Sequence, residues 1–217
     1  MKDDVLYMAL ITWHSITTPQ DPLLPSALHL YESTFEEIVR EPLDVLLRGL
    51  QLGDTIRPSA FHLLIAHDEH QRVVALTIAN YLSRANRGFI VYLAVDPAAR
   101  SQGLGAQLIQ QLELLLQRDA QLAGHAQLDG LVLETEDDSD FERRRRFFHQ
   151  QGFAQVPNIR YHQPALNPTT EVIPLHLFVK GSPGDIPTLI RAIYEEKYHL
   201  INSIPLDVLR ALEARNR

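Results

Sequence analysis

The chain has no cysteine among its 217 residues. Disulfides, thiolate metal sites and a cysteine nucleophile are therefore excluded. It has no excess of positive charge: 20 Lys and Arg stand against 27 Asp and Glu, a formal charge of -7 with a pI near 5.8. A nucleic acid or an anionic membrane surface would normally select net basic character, so neither is expected as the main partner. No run approaches the roughly 20 apolar residues that a spanning helix needs. The start, Met1-Lys2-Asp3-Asp4 and a short apolar patch from Val5 to Trp13, lacks the charged-then-apolar layout of a secretion signal. A cytoplasmic location is the expectation. A phosphate loop of the Gly-Lys-Ser/Thr type is also missing.

What is present is a 45% hydrophobic chain, long enough for one full domain and an appendage. It is organised around residues 89–117. Phe89-Ile90-Val91-Tyr92-Leu93-Ala94-Val95 reads as a strand buried on both faces, and Pro97 stops it. After Arg100-Ser101-Gln102-Gly103-Leu104-Gly105-Ala106, apolar residues Leu108, Ile109, Leu112, Leu115 and Leu116 recur at helical spacing. The first N–H groups of such a helix have no intrahelical partner and lie at the positive end of its dipole, where an anion fits. Gly103 and Gly105 lack a Cβ and let a pyrophosphate approach the backbone. A dinucleotide fingerprint would need a small residue where Leu108 stands and a distant acidic ribose partner. A strand-to-helix turn whose glycines serve only close packing is the simpler alternative.

Val5 to Trp13 reads as a first strand, and Leu28, Tyr31, Phe35 and Ile38 as one helix running up to Pro42. Leu43 to Leu50 forms a second helix ending at Gly53. Residues 61–66 and 73–82 read as two strands joined by His67-Asp68-Glu69-His70-Gln71. That polar tip is the usual place for such residues, and with no third imidazole nearby in sequence no metal site is expected. Leu131-Val132-Leu133-Glu134-Thr135 is a strand, and Ser139 with Glu142 spells a capping box for the next helix. That helix carries Arg143 to Arg146, which span about 300° of its circumference and cannot all face one ligand. A solvated face paired to acidic neighbours is expected. Residues 172–179 close the sheet. Beyond the linker Gly181-Ser182-Pro183-Gly184, Asp185 and Ser203 are candidate caps for two final helices.

The spelling Arg100-Ser101-Gln102-Gly103-Leu104-Gly105-Ala106 after Leu93-Ala94-Val95-Asp96-Pro97 closely resembles the acyl-CoA motif of the GNAT superfamily of N-acetyltransferases. Phe147-Phe148-His149-Gln150-Gln151-Gly152-Phe153 resembles the family's helix ending, with Phe148 where a tyrosine is customary. The resemblance implies an α/β (α+β) fold with a mixed, mostly antiparallel sheet over residues 1–180, and residues 181–217 as a helical extension. The extension would pack on the core or on a partner subunit, which leaves a homodimer open. It implies acetyl-CoA as cosubstrate, no metal, and direct acetyl transfer to an amine of a small molecule or an exposed protein amine. Leu93 and Val95 would pair with the pantetheine, and Arg100, Ser101, Gln102, Gly103, Leu104, Gly105 and Ala106 would hold the pyrophosphate. A protein of this shape that binds CoA without turnover is the alternative, because Phe148 cannot return a proton to a thiolate.

The catalytic side chains are a separate question. Alternation places Val132, Glu134 and Glu136 on the face opposite Leu131 and Leu133. If the leucines pack on the long helix, Glu134 points to the gap as a candidate base; otherwise it caps the next helix or binds Arg143. Tyr161 and His149 are candidate acids, and loss of the proton to water needs no residue at all. Glu134, Glu136, Asp137 and Asp138 are expected to gather at the mouth of the cleft and attract a cationic amine.

Overall fold

The computed structural model describes residues 11–167 and 171–216. Most of the expected strand from Val5 to Trp13 lies outside the described residues. Within them the first strand, β1, is Thr12–Ile16. It is followed by helices α1 (Leu24–Thr34) and α2 (Leu43–Leu52), and by strands β2 (Ala60–His67), β3 (Val73–Leu82) and β4 (Arg87–Val95). The long helix α3 (Leu104–Leu122) leads to β5 (Gly130–Thr135), α4 (Phe141–Gln150), β6 (Phe153–Gln155), β7 (Tyr161–Gln163) and β8 (Ile173–Gly181). The chain then runs through α5 (Ile186–Ala192), a π-helical segment (Ile193–His199) and α6 (Leu206–Glu213).

The sheet order is β1-β2-β3-β4-β5-β8-β6, with β7 also on β8. Every pairing is antiparallel except β4 with β5. That parallel pair is short: Gly88, Phe89 and Ile90 face Leu131, Val132 and Leu133, and pairing stops there. β4 stays joined to β3 through Val95. The two middle strands therefore separate beyond Ile90 and Leu133. A bulge helps to turn β4, since Ile78 faces Tyr92 while Ala79 faces Ile90, and one extra residue bends a strand and sharpens its twist.

Burial follows the period-2 alternation of the strands. Leu131 and Leu133 share a core with Leu108, Leu112 and Leu116 of α3, while Val132 turns to the opposite face and packs with Leu189, Ile193 and Tyr194 of the C-terminal helices. On that same face, nearer β1, α1 and α2 cover Leu63, Ile65 and Ile78. The C-terminal helices thus lie on the sheet.

Three local expectations are corrected. The first helix ends at Thr34, not near Pro42, because Phe35 takes an extended conformation and places its ring 4.9 Å from that of Tyr92, leaving Ile38 in solvent. Ser139 does not cap α4: the cap position is Asp140, and Glu142 bonds Arg145 instead. Ser203 has φ +60 and lies ahead of α6, which begins after Pro205. Asp185 does cap α5, through the N–H of Thr188.

Candidate active site

The loop from Arg100 to Ala106 joins the free end of β4 to α3. Ser101 and Gly103 both have positive φ, +63 and +77. Left-handed residues alternating with others turn successive N–H groups to one side, which favours an anion. Gly103 is the N-cap of the 19-residue α3, and no side chain among the described residues caps that end. A Cβ on Gly103 would meet only Gln107 Nε2, at 3.8 Å, so its glycine is required by conformation and not by crowding. Gly105 differs: a Cβ there would lie 3.1 Å from the Phe147 ring of α4. The close-packing reading therefore fits Gly105, while Gly103 retains the open, left-handed geometry of an anion cradle.

Arg100, Ser101 and Gln102 are exposed, Gly105 and Ala106 half-buried, and Leu104 is buried under the loop. Leu93 and Val95 are half-buried on the stretch of β4 that has left β5. The Arg100 Nε donates to the Val95 carbonyl at 3.3 Å. Phe148 is buried against Phe153 and Phe178, whereas Phe147 lies beside Gly105 and Val95. His149 is exposed on α4, away from the gap, in a shallow pocket with Arg145 and Arg146.

Glu134 is the first β5 residue beyond the β4 pairing. Its side chain points away from α3 and meets protein groups there. Its Oε1 accepts from Gln163 Nε2 at 2.8 Å and from the Tyr198 hydroxyl at 2.5 Å. Among the described residues, the enclosed Oε2 has no hydrogen-bond partner, and neither has the Tyr161 hydroxyl. That hydroxyl stands near enough to feel the carboxylate yet outside bonding geometry. Burial pushes the Glu134 carboxyl above its ordinary range, with Tyr161, Tyr198, Gln163 and the charge of Lys197 pulling the other way. Burial first, then the facing carboxylate, holds the Tyr161 and Tyr198 hydroxyls protonated. The structure thus brings Glu134 and Tyr161 together and leaves His149 out.

The other expected acidic groups are engaged elsewhere. Arg144 donates to Thr135 Oγ1, to the Glu136 carbonyl and to the Asp138 carboxylate, and Asp137 lies 3.5 Å from His176. The expected carboxylates thus share neighbours of their own, with one guanidinium, that of Arg144, between Glu136 and Asp138. The arginine run is paired as expected, Arg143 with Asp140 and Arg145 with Glu142. Among the described residues no group of three or more His, Asp or Glu could hold a metal.

A second polar cluster went unseen in the sequence. Lys197, fully buried, donates to Glu41 Oε1 and to Asn202 Oδ1. Glu196 is buried one residue earlier and accepts from the N–H groups of Ser83 and Arg84 and from both serine hydroxyls, Ser59 and Ser83. The π-helical turn delivers Glu196, Lys197 and Tyr198 to different partners. Only the three-dimensional path puts Glu41 and Lys197 together, 156 positions apart.

Residues 24–153 match the family model described as Acetyltransferase (GNAT) family. The chain belongs to the GNAT family of acetyltransferases. No curated protein matches it. Among solved structures, a GNAT-family protein from Bacteroides thetaiotaomicron superposes with a TM-score of 0.66 at 18% identity, over 89% of this chain and 99% of that one. A GNAT-family protein from Desulfovibrio desulfuricans gives 0.56 at 15% identity, over 79% and 99%. The ribosomal-protein-S18-alanine N-acetyltransferase of Escherichia coli gives 0.53 at 18% identity, over 81% and 97%. At these identities the likeness is one of fold. This GNAT chain accordingly has the mixed, mostly antiparallel sheet of its family, with helices added at the C-terminal end. The family binds acetyl-CoA, and the cradle at Gly103 and the free edge of β4 suit a pyrophosphate followed by an extended amide chain.

Proposed function

We propose that this GNAT enzyme transfers the acetyl group of acetyl-CoA directly to an amine of a small molecule or to an exposed protein amine, in the gap between β4 and β5. The observation that carries this reading is the short β4–β5 pairing, which leaves β4 beyond Ile90 with an unpaired edge and Glu134 as the first residue on the facing strand. The backbone of Leu93 and Val95 would hold the pantetheine amides in the manner of an added strand. The amides from Arg100 to Ala106 would hold the pyrophosphate. Acetyl-CoA supplies the activated thioester.

The protein's tasks are then to position the amine and to move protons. Glu134, with its raised pKa and unpartnered Oε2, takes the ammonium proton, so that the neutral nitrogen can form its bond to the acetyl carbon. Tyr161, whose hydroxyl stays protonated, supplies a proton to the sulfur as the carbon–sulfur bond breaks, and recovers one from the second proton that the nitrogen gives up on becoming an amide, while Glu134 returns the ammonium proton to solvent. Gln163 and Tyr198 are positioning residues that fix the carboxylate. The buried phenyl ring of Phe148 favours a second reading, a GNAT module that binds CoA without turnover.

Kinetics with a saturating amine separates the two. In Glu134→Gln and Tyr161→Phe, kcat should fall by about 10²–10⁴-fold, the usual contribution of a positioned acid or base, with little change in affinity for acetyl-CoA. Full kcat in both variants across pH would overturn the assignments. CoA binding with no thiol release over a broad amine panel would favour the binding module.

A further inference from the structure

Resting on the acetyltransferase reading, we propose that Lys197, carried by the C-terminal helices, is a positioning residue for the transfer: with Tyr198 it holds Glu134 as a carboxylate ready to take the ammonium proton. Lys197 is fully buried. Its Nζ donates to Glu41 Oε1 and, at 2.6 Å, to Asn202 Oδ1, and lies over the Tyr198 ring, 5.2 Å from the centroid. The hydroxyl of that same ring donates to Glu134 Oε1 at 2.5 Å. One phenol therefore links the enclosed ammonium group to the candidate base.

Packing alone does not account for a lysine here. An ion pair taken out of water loses hydration that its mutual attraction often fails to restore, and apolar side chains of similar volume commonly stabilise a protein as well or better. The backbone that presents it is unusual too. Ile193–His199 form a π-helical segment, in which the N–H of Leu200 returns to the carbonyl of Glu195 and that of Asn202 to the carbonyl of Lys197, five residues back. Such turns are rare and recur at functional sites. This wide turn directs Lys197 to Glu41 and its neighbour Tyr198 to Glu134.

The need for a cation follows from the burial of Glu134. The charged and titratable groups around it are Tyr161 from β7, Tyr194, Lys197 and Tyr198 from the π-helical segment, and Glu41 beyond Lys197. On β8 the residue opposite is Leu177, and along β5 Glu136 is paired with Arg144. Burial, and the facing carboxylate, hold the three tyrosine hydroxyls protonated. Lys197 is the cation of the group. A carboxyl removed from water keeps its proton, and an acid that already holds one cannot accept another. The positive charge of Lys197 opposes that effect, and it does so where water screens little. Glu41 anchors the lysine and, as a second negative charge, limits how far it acts.

The test reads Glu134 directly. Infrared titration of the full chain follows the protonated-carboxyl band that disappears in Glu134→Gln, and needs neither acetyl-CoA nor an amine. In Glu41→Gln/Lys197→Met, which removes the pair without stranding a charge, the band should persist to higher pH by about one unit, the low end of what a close opposite charge does. In Glu41→Gln alone, which keeps the lysine and removes its counter-charge, the band should vanish at lower pH than in the native protein. The acid limb of kcat, measured with the most rapidly acetylated amine of a panel, should move with the band in both variants, while calorimetric affinity for acetyl-CoA stays unchanged. A pair that only fastens the extension would alter thermal stability and leave the band in place. An unmoved band in a folded sample of either variant overturns the proposal, and so does movement of both in the same direction. Bands that move as expected, with no acetylation of any amine, would uphold the hold of Lys197 on Glu134 and overturn only the transferase reading.

Discussion

Glu134 shows how a single side chain is altered by what covers it. Its alternation in β5 decides which face it occupies, while Tyr198 and Gln163, distant in sequence, decide its chemistry. In the unfolded chain the group ionises at an ordinary carboxylate pKa of about 4.3. Burial raises it in the folded state, so the native protein keeps this proton to higher pH. The stability contributed by this group is therefore full below about pH 4 and is lost as pH rises through the folded pKa. Glu134→Gln removes that dependence. Thermal melts should show the difference in Tm, variant minus native, moving in the variant's favour between pH 4 and pH 7; a constant difference would mean that the carboxylate is not enclosed.

Among the elements, α3 and the loop before it were the most legible, because their signals are local: an apolar run at helical spacing, a proline, and glycines at the helix start. Helix ends were less legible. Phe35 leaves α1 to reach an aromatic cluster, and Glu142 is taken by Arg145, neither of which a capping pattern can foresee. The role of Gly103 can be isolated within its own helix. Gly103→Ala and Gly124→Ala place a Cβ at positive φ at opposite ends of α3, neither with a close contact. Each should cost about 1–2 kcal/mol of stability, the strain of a left-handed non-glycine residue. Only Gly103→Ala should also weaken CoA binding, by tenfold or more in calorimetry. Equal CoA affinity in both would remove the loop from the pyrophosphate site.

At the scale of the whole molecule, the sheet has α3 and α4 on one face, and the other is divided between α1 with α2 and the C-terminal helices. The latter share a core with Phe89, Val132, Tyr161 and Leu177. An extension beginning near residue 181 is thus continuous with the sheet in packing, and it supplies Tyr198 and Lys197 to the two polar clusters. Ile193 is fully buried in that layer. Ile193→Ala should destabilise the protein by about 2–5 kcal/mol, the range for emptying a buried aliphatic site. Denaturant unfolding should remain one cooperative transition seen equally by fluorescence and circular dichroism. Two separate transitions, with only the minor one shifted, would make the extension an independent unit.

The sequence alone determined the order and type of most elements, the face on which Leu131, Leu133 and Glu134 lie, and the loop that opens α3, because periodicity and backbone preference act over a few residues. It also determined that no cysteine of the protein takes part. Tertiary structure decided that Glu134 is enclosed by Tyr198 and Gln163 and that Tyr161 lies beside it. It decided, too, that Arg144 pairs with both Glu136 and Asp138, and that Glu41 meets Lys197. Those outcomes depend on which surfaces the sheet brings together, and desolvation and charge pairing act through space, without regard to separation along the chain.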